Sequence, residues 1–91
     1  MRPLTIFVLK RCPYCIKAKK MIAELMEQER YADIMIEYID EAKNKKLAAT
    51  FDYYYVPSFY LDQQKLYEGA IQKEQLVEVL DTYLSLLKED V

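Results

Sequence analysis

Residues 4–15 read Leu-Thr-Ile-Phe-Val-Leu-Lys-Arg-Cys-Pro-Tyr-Cys, a largely apolar run that is followed by two basic residues and a Cys-x-x-Cys motif. The run is rich in β-branched and aromatic residues on both of its faces, which is typical of a strand buried between two layers of helices. Pro13 suits the first position of a helix, because its missing N–H would have no partner there. We therefore predict a central strand at Leu4–Leu9 and a helix from Pro13 to Glu29 that begins directly after Cys12. Four apolar residues of this helix fall close to one face: Ile16, Ile22, Leu25 and Met26.

A second apolar segment, Ile34–Ile39, follows this helix and predicts a second strand. Two strands that are joined by a crossover helix favour a parallel pair. Asp40 is a suitable N-cap for a short helix that carries Leu47, Ala48 and Phe51.

The second half of the chain predicts an antiparallel hairpin and a closing helix. Pro57 fits a central strand only at its start, and Ser58–Leu61 and Lys65–Glu68 flank the turn residues Asp62-Gln63-Gln64. From Gln72 onward, apolar residues recur every three or four positions: Leu76, Val77, Leu80, Leu84 and Leu87. The predicted class is α/β with the order β-α-β-α-β-β-α, a four-stranded mixed sheet flanked by three helices.

Composition restricts the chemistry that the chain can perform. With 91 residues, 53% of them hydrophobic and 31% charged, the sequence predicts one compact domain spanning residues 1–91. The absence of His excludes Cys-His nucleophile pairs and imidazole metal ligands. The net charge of −2 gives no electrostatic footprint for a nucleic acid or an anionic membrane. The charge is nevertheless uneven, because residues 1–23 carry six basic residues and no acid.

The N-terminal apolar run is too short for a signal-peptide core or a membrane span. Both cysteines lie in one motif rather than in a long-range disulfide network. We therefore expect a cytoplasmic protein.

The motif Cys12-Pro13-Tyr14-Cys15 predicts redox chemistry. Cys12 would lie at a helix N-terminus beside Lys10 and Arg11, where unpaired N–H groups, the helix dipole and positive charge all stabilise a thiolate. Cys15, one turn further along, would be more buried and less acidic, and would resolve a mixed disulfide formed at Cys12. A purely structural disulfide is the alternative, but so short a loop would gain only about 2 kcal/mol, against nearly 5 kcal/mol for a 100-residue loop. We predict no metal site, since zinc needs four ligands and the chain offers two sulfurs.

These features together resemble a dithiol glutaredoxin of the thioredoxin fold. The resemblance rests on the element order, on Cys12-Pro13-Tyr14-Cys15 at the start of a helix, and on Val56-Pro57 before a hairpin. It implies a thiol-disulfide oxidoreductase in which Cys12 is the nucleophile and no cofactor is tightly bound. It also implies that Pro57 is a cis proline facing the cysteines, and that the backbone of Val56 pairs with glutathione or an extended peptide.

The resemblance further implies a substrate-binding role for Lys10 or Arg11, which would hold the carboxylates of glutathione. Glutaredoxins carry a Gly-Gly pair and then an Asp that meets the glutathione amino group, whereas this chain retains Gly69 and has Lys73 nearby. A Lys there repels an ammonium. The expected reductant is therefore either glutathione or a flavoprotein of the thioredoxin-reductase kind, and the expected substrates include proteins with disulfides.

The nine tyrosines suggest a docking surface. Tyr14 and Tyr55, together with Tyr60 or Tyr67, would form an aromatic surface around the motif, and Tyr supplies large contact area at little rotamer cost. The alternative is that such tyrosines cover the sheet and fill gaps beneath helices.

Two other functions remain open. An iron-sulfur carrier would ligate its cluster through Cys12 and external thiols across a dimer. A non-catalytic module would present Tyr14, Tyr55 and the Val56 backbone to a partner peptide.

Overall fold

A computed structural model describes residues 2–89. Two 3-10 turns, Glu29–Tyr31 and Glu41–Lys43, interrupt the regular elements. The strands and helices are β1 (Leu4–Val8), α1 (Pro13–Leu25), β2 (Ile36–Asp40), α2 (Lys45–Ala48), β3 (Ser58–Leu61), β4 (Gln64–Glu68) and α3 (Lys73–Glu89).

The four strands form one mixed sheet in the order β2-β1-β3-β4. Strand β1 runs parallel to β2 and antiparallel to β3, and β4 closes the hairpin antiparallel to β3. The predicted α/β class, element order and mixed four-stranded sheet are therefore confirmed. β1 and β3 are the inner strands, which places the loops that follow β1 and precede β3 side by side at one end of the sheet.

Both faces of β1 are buried, because a different set of side chains packs against each face. Leu4, Ile6 and Val8 belong to a core that contains residues of α1 and α3. Phe7 lies on the other face in a smaller cluster with Tyr60 and Ala48. The alternation of side chains along a strand thus explains why β1 has to be apolar at successive positions.

Helix α1 differs from its predicted form in its length and in one of the residues predicted to be buried. It ends at Leu25, four residues before the predicted end, and the chain then tightens into a 3-10 turn that buries Tyr31. The Tyr31 hydroxyl donates a hydrogen bond to Asp81 Oδ1 of α3 over 2.7 Å, which fixes this turn against the closing helix. The prediction for Ile16 is wrong, since 57% of that residue is exposed. The buried residues of α1 are Cys15, Ala18, Ile22 and Leu25, so the predictions for Ile22 and Leu25 are confirmed, while Met26 directly follows the helix and is partly buried.

Asp40 is a helix cap, as predicted, but the element that it caps is different. The Asp40 side chain accepts a hydrogen bond from the Ala42 N–H over 2.9 Å, so it caps the 3-10 turn rather than α2. Phe51 lies beyond the end of α2 and packs against the cluster around Phe7.

The closing helix α3 begins one residue after Gln72 and buries Leu76, Val79, Leu80 and Tyr83. The side chain of Gln75 accepts a hydrogen bond from the Gln72 N–H over 2.8 Å, which supplies half of a capping box. None of the helices within residues 2–89 has the length and apolar character that crossing a bilayer requires.

Candidate active site at the start of helix α1

Cys12 occupies the N-cap position of α1, immediately before Pro13 at the first helical position. Its extended backbone, with φ −79° and ψ 116°, aims the sulfur at the first turn of the helix. The Cys15 N–H donates a hydrogen bond to Cys12 Sγ over 3.3 Å. No acidic residue lies in the first turn of α1. The backbone donor and the positive end of the helix dipole therefore both stabilise negative charge on this sulfur.

Cys15 lies one turn further along α1 and is 1% exposed. Burial raises the pKa of the Cys15 thiol to about 12, a backbone hydrogen bond involving Leu9 opposes this rise, and the hydrogen bond and charge of Cys12 add to it. Cys15 is therefore a protonated, inaccessible thiol at neutral pH while Cys12 is partly exposed. One helix turn thus places the two sulfurs in different environments.

We expect the raised pKa of Cys15 to make the reduced protein less stable at alkaline pH. In the unfolded chain this thiol has its ordinary pKa of 9.0, whereas in the folded protein the pKa is about 12. Above pH 9 the unfolded state binds fewer protons than the folded state, so stability falls with rising pH by up to about 1.4 kcal/mol per pH unit.

Urea unfolding of the wild type and of Cys15→Ala at pH 8 and pH 10.5, under reducing conditions, measures this contribution. The wild type should lose about 2 kcal/mol more than the variant between these pH values, because the variant lacks the titrating thiol. The buried tyrosines are present in both proteins, so their titration contributes equally to the two losses of stability. Equal losses in the two proteins would contradict the raised pKa.

The loop before β3 faces the cysteines. The Val56–Pro57 peptide bond is cis, as the resemblance to glutaredoxins implies, and Pro57 is buried. The carbonyl oxygen of Val56 lies 3.9 Å from Cys12 Sγ. Within residues 2–89 no acceptor takes a hydrogen bond from the Val56 N–H. The backbone of Val56 is thus placed beside Cys12 Sγ with a donor that is available to a ligand.

Gly69 supports the same loop from the end of β4. Its N–H donates a hydrogen bond to the carbonyl oxygen of Pro57 over 2.8 Å. Its φ of +96° lies in the region that residues with a Cβ rarely adopt, so this position needs glycine.

Several exposed apolar residues lie close in the chain to Cys12 and to Val56. The exposed fractions are 59% for Tyr14 and 57% for Ile16 on α1, and 86% for Tyr54 and 71% for Tyr55 in the loop. Lys10 and Arg11 lie in the turn that leads to Cys12, and both are exposed. Tyr54 and Ile16 are not among the predicted site residues, and the sequence assigns Ile16 to the core because its spacing fits the apolar face of a helix.

Tyr60 does not join this surface, and Tyr67 contributes only part of its side chain to the protein surface. Tyr60 is 2% exposed and its ring packs edge-on against Phe7, while its hydroxyl donates a hydrogen bond to the Asp52 carbonyl oxygen. Tyr67 is half-buried and its ring packs against Phe59. The alternative in which these tyrosines fill the core is therefore correct for Tyr60.

Sequence reasoning missed two polar residues that hold the loop. Ser58 is fully buried at the start of β3, and its hydroxyl donates a hydrogen bond to the Tyr55 carbonyl oxygen. The carboxylate of Glu68 accepts hydrogen bonds from the backbone N–H groups of Tyr54 and Tyr55. The sequence contains no signal for either contact, because both depend on how the loop folds back over the end of the hairpin.

The two cysteines are the obvious soft ligands for a metal. Among residues 2–89, no group of three or more His, Cys, Asp or Glu side chains is arranged to hold a metal ion. Ligation of a metal or cluster by Cys12 would therefore need ligands from outside this part of the chain.

Two solved structures share the architecture of this chain. One is the structure of a malarial protein, with a TM-score of 0.67 and 19% identity, covering 89% of this chain and 94% of that chain. The other is a mutant thioredoxin from Halobacterium salinarum, with a TM-score of 0.66 and 24% identity, covering 88% of this chain and 72% of that chain. At these identities both likenesses show the thioredoxin-like fold alone.

Sequence comparison identifies the family of the chain. The chain is 29% identical over 77 residues to a thioredoxin from Methanocaldococcus jannaschii. These 77 residues cover 85% of this chain and 89% of that protein. The sequence pattern of the thioredoxin domain matches residues 3–81, from the start of β1 into α3 and across both cysteines. The matched region contains the whole site described above, and the chain therefore belongs to the thioredoxin domain family.

Proposed function

We propose that this protein is a thiol-disulfide oxidoreductase that reduces disulfides in proteins or small thiols through Cys12 and Cys15. The observation that carries the proposal is the pairing of a partly exposed sulfur at a helix N-terminus with a buried thiol one turn away. The Cys-Pro-Tyr-Cys motif is the one that glutaredoxins carry, so the proposal is a glutaredoxin-like dithiol centre on a chain of the thioredoxin domain family. The proposed location is the cytoplasm, where the reducing environment keeps such a pair in its dithiol form.

The first step is attack by the Cys12 thiolate on one sulfur of the substrate disulfide. A bond forms between Cys12 Sγ and that sulfur, the substrate S–S bond breaks, and the other substrate sulfur leaves as a thiolate that takes up a proton. The backbone N–H of Cys15 supports this step, because its hydrogen bond to Cys12 Sγ stabilises the anionic nucleophile.

The second step is attack by Cys15 on Cys12 Sγ. Cys15 loses its proton, a Cys12–Cys15 disulfide forms, and the bond to the substrate breaks to release the second thiol. The charge and hydrogen bond of Cys12 help to raise the pKa of Cys15 in the free dithiol. The charge contribution ends once Cys12 is bonded to the substrate, which lowers the pKa of Cys15 at that stage, whereas burial, the largest cause of the rise, persists.

Substrate binding is proposed to use the backbone of Val56. An extended peptide that lies along this loop adds to it as a strand would, with the Val56 N–H as a donor and its C=O as an acceptor. Tyr14, two residues after Cys12, and Tyr55, next to Val56, supply exposed aromatic area. This mode recognises the backbone of the substrate rather than a particular side chain.

The proposed electron donors are glutathione and a flavoprotein of the thioredoxin-reductase kind. Lys73 is exposed and begins α3, in the region where glutaredoxins present an acid to the amino group of glutathione. Since two positive charges repel each other there, we expect the flavoprotein to support faster turnover than glutathione. Lys10 and Arg11 are the residues proposed to bind the carboxylates of glutathione when it does react.

Consumption of NADPH with a small mixed disulfide as acceptor tests the proposal. The protein is supplied in parallel with glutathione plus glutathione reductase, and with thioredoxin reductase. We expect turnover above the protein-free background with at least one donor system, and faster turnover with thioredoxin reductase. Turnover with glutathione alone would contradict the proposed donor preference, and no turnover with either system would contradict the enzymatic function.

A further inference from the structure

We propose that Glu68 is a positioning residue that holds the Tyr54–Pro57 loop in the geometry that receives the substrate backbone beside Cys12. The inference rests on the proposed function and adds to it a residue outside the motif and outside the loop. Glu68 is the last residue of β4, an edge strand, and its side chain is only 17% exposed.

One carboxylate oxygen of Glu68 is committed to the loop. Glu68 Oε2 accepts hydrogen bonds from the N–H groups of Tyr54 and Tyr55 over 2.7 Å and 2.9 Å. The other oxygen, Oε1, pairs with Lys65 Nζ over 2.6 Å. A carboxylate is suited to this arrangement because it accepts several hydrogen bonds at once, and those with a charged acceptor are stronger than neutral ones.

The neighbouring residues of the hairpin hold the other side of the loop. Gly69 N–H binds the Pro57 carbonyl oxygen, and the Ser58 hydroxyl binds the Tyr55 carbonyl oxygen. Ser58 and Glu68 are direct partners in the register of β3 and β4. The end of the hairpin therefore fixes the chain immediately before and immediately after Val56.

Val56 lies between Tyr55 and Pro57, which these hydrogen bonds hold in place. With the N–H groups of Tyr54 and Tyr55 bound to Glu68, Val56 is left to present its own N–H and C=O, and its carbonyl oxygen lies 3.9 Å from Cys12 Sγ. Loss of the carboxylate would release the loop on its N-terminal side, and the backbone of the substrate would no longer meet a preformed partner. Affinity for an extended substrate then falls, because the loop has to be ordered on binding.

The test compares the wild type with Glu68→Ala, Glu68→Gln and the control Glu37→Ala. Glu37 is an exposed acid on the opposite edge strand, β2, and it has no part in the site. The measurements are kcat and KM with a disulfide-bearing peptide, amide hydrogen exchange at Tyr54 and Tyr55, alkylation of Cys12 by iodoacetamide, and Tm.

For Glu68→Ala we expect an increase of about tenfold in KM and exchange about tenfold faster at both amides, because two charge-assisted hydrogen bonds are lost. Glu68→Gln should give smaller increases, since its amide oxygen still accepts a hydrogen bond but carries no charge. Alkylation of Cys12 should match the wild type in both variants, because the small reagent does not use the loop. Glu37→Ala should match the wild type in every measurement.

Three results would overturn the role of Glu68. The first is unchanged exchange at Tyr54 and Tyr55, which means that the contact is absent in solution. The second is faster exchange with an unchanged KM, which means that the contact only stabilises the fold. The third is a rise in KM that is accompanied by a fall in Tm and is the same in Glu68→Ala and Glu37→Ala, which means that KM reports only lost stability. If the wild type itself shows no turnover, the proposed function fails, whereas an active wild type with an unaffected KM in Glu68→Ala removes only the role of Glu68.

Discussion

Replacing Cys12 with Ser should reduce disulfide turnover by at least about a thousandfold, to the background rate, because the step that opens the substrate disulfide loses its nucleophile. A Ser hydroxyl at this N-cap remains a good helix cap, so the fold and its stability should change little. The measurement is NADPH consumption with whichever reductant supports the wild type, alongside the free energy of unfolding in urea. Residual turnover within about tenfold of the wild type would contradict the assignment of Cys12 as the nucleophile.

Cys15→Ser is the matched variant, because it also replaces a cysteine sulfur with an oxygen, at the second cysteine of the motif. It should still attack a disulfide through Cys12 but leave the mixed disulfide unresolved. Mass spectrometry after incubation with a disulfide peptide should therefore detect a covalent adduct at Cys12. The adduct should be absent from Cys12→Ser, and an adduct at Cys15 in that variant would mean that the two roles are reversed.

Replacing Phe7 with Ala should lower the free energy of unfolding by about 3–5 kcal/mol, the cost that truncating a buried aromatic residue usually carries. Phe7 is completely buried, on the face of β1 that meets the smaller core cluster. Its ring centroid lies 4.7 Å from that of Phe51, 5.1 Å from Tyr53 and 5.8 Å from Tyr60. The variant loses contacts with all three rings at once, and the inner strand of the sheet has little freedom to close the cavity.

Tyr54→Ala provides the control for this prediction, since it also truncates an aromatic residue but at a position that is 86% exposed. Its stability should stay within about 0.5 kcal/mol of the wild type. Urea unfolding of the three proteins at neutral pH measures both effects. A loss below about 1 kcal/mol for Phe7→Ala would contradict the predicted cost and would show that the cluster around Phe7 repacks.

Local patterns made much of the fold predictable. The apolar run at β1 predicts a strand buried on both faces, and the two clusters around Leu4 and Phe7 explain that pattern. The Cys-Pro pair predicts where α1 begins, because a proline at the first helical position and a cap before it are local requirements. The cis bond before Pro57 follows from the resemblance to a known family rather than from any local pattern.

Other features could not be read from local patterns. Ile16 has the spacing of a core residue, yet the stripe that meets the sheet runs through Cys15 and leaves Ile16 exposed. Helix α1 stops at Leu25, and Tyr31 in the following turn packs into the core and reaches Asp81, 50 residues away in the chain. Tyr60 and Tyr55 carry the same side chain, yet Tyr60 lies in β3 and is buried against Phe7, whereas Tyr55 lies in the loop and is exposed.

The sequence by itself determined the order of strands and helices and the dithiol motif, since these depend on residue periodicity and on groups within one helix turn. Only the tertiary structure decided which tyrosines face solvent, how far Val56 lies from Cys12, and that Glu68 reaches the loop. These features join residues 13 to 44 positions apart, so they exist only once the sheet has assembled. The physical reason is that a side chain's partners across such separations are set by how the layers pack, and that packing depends on the whole chain.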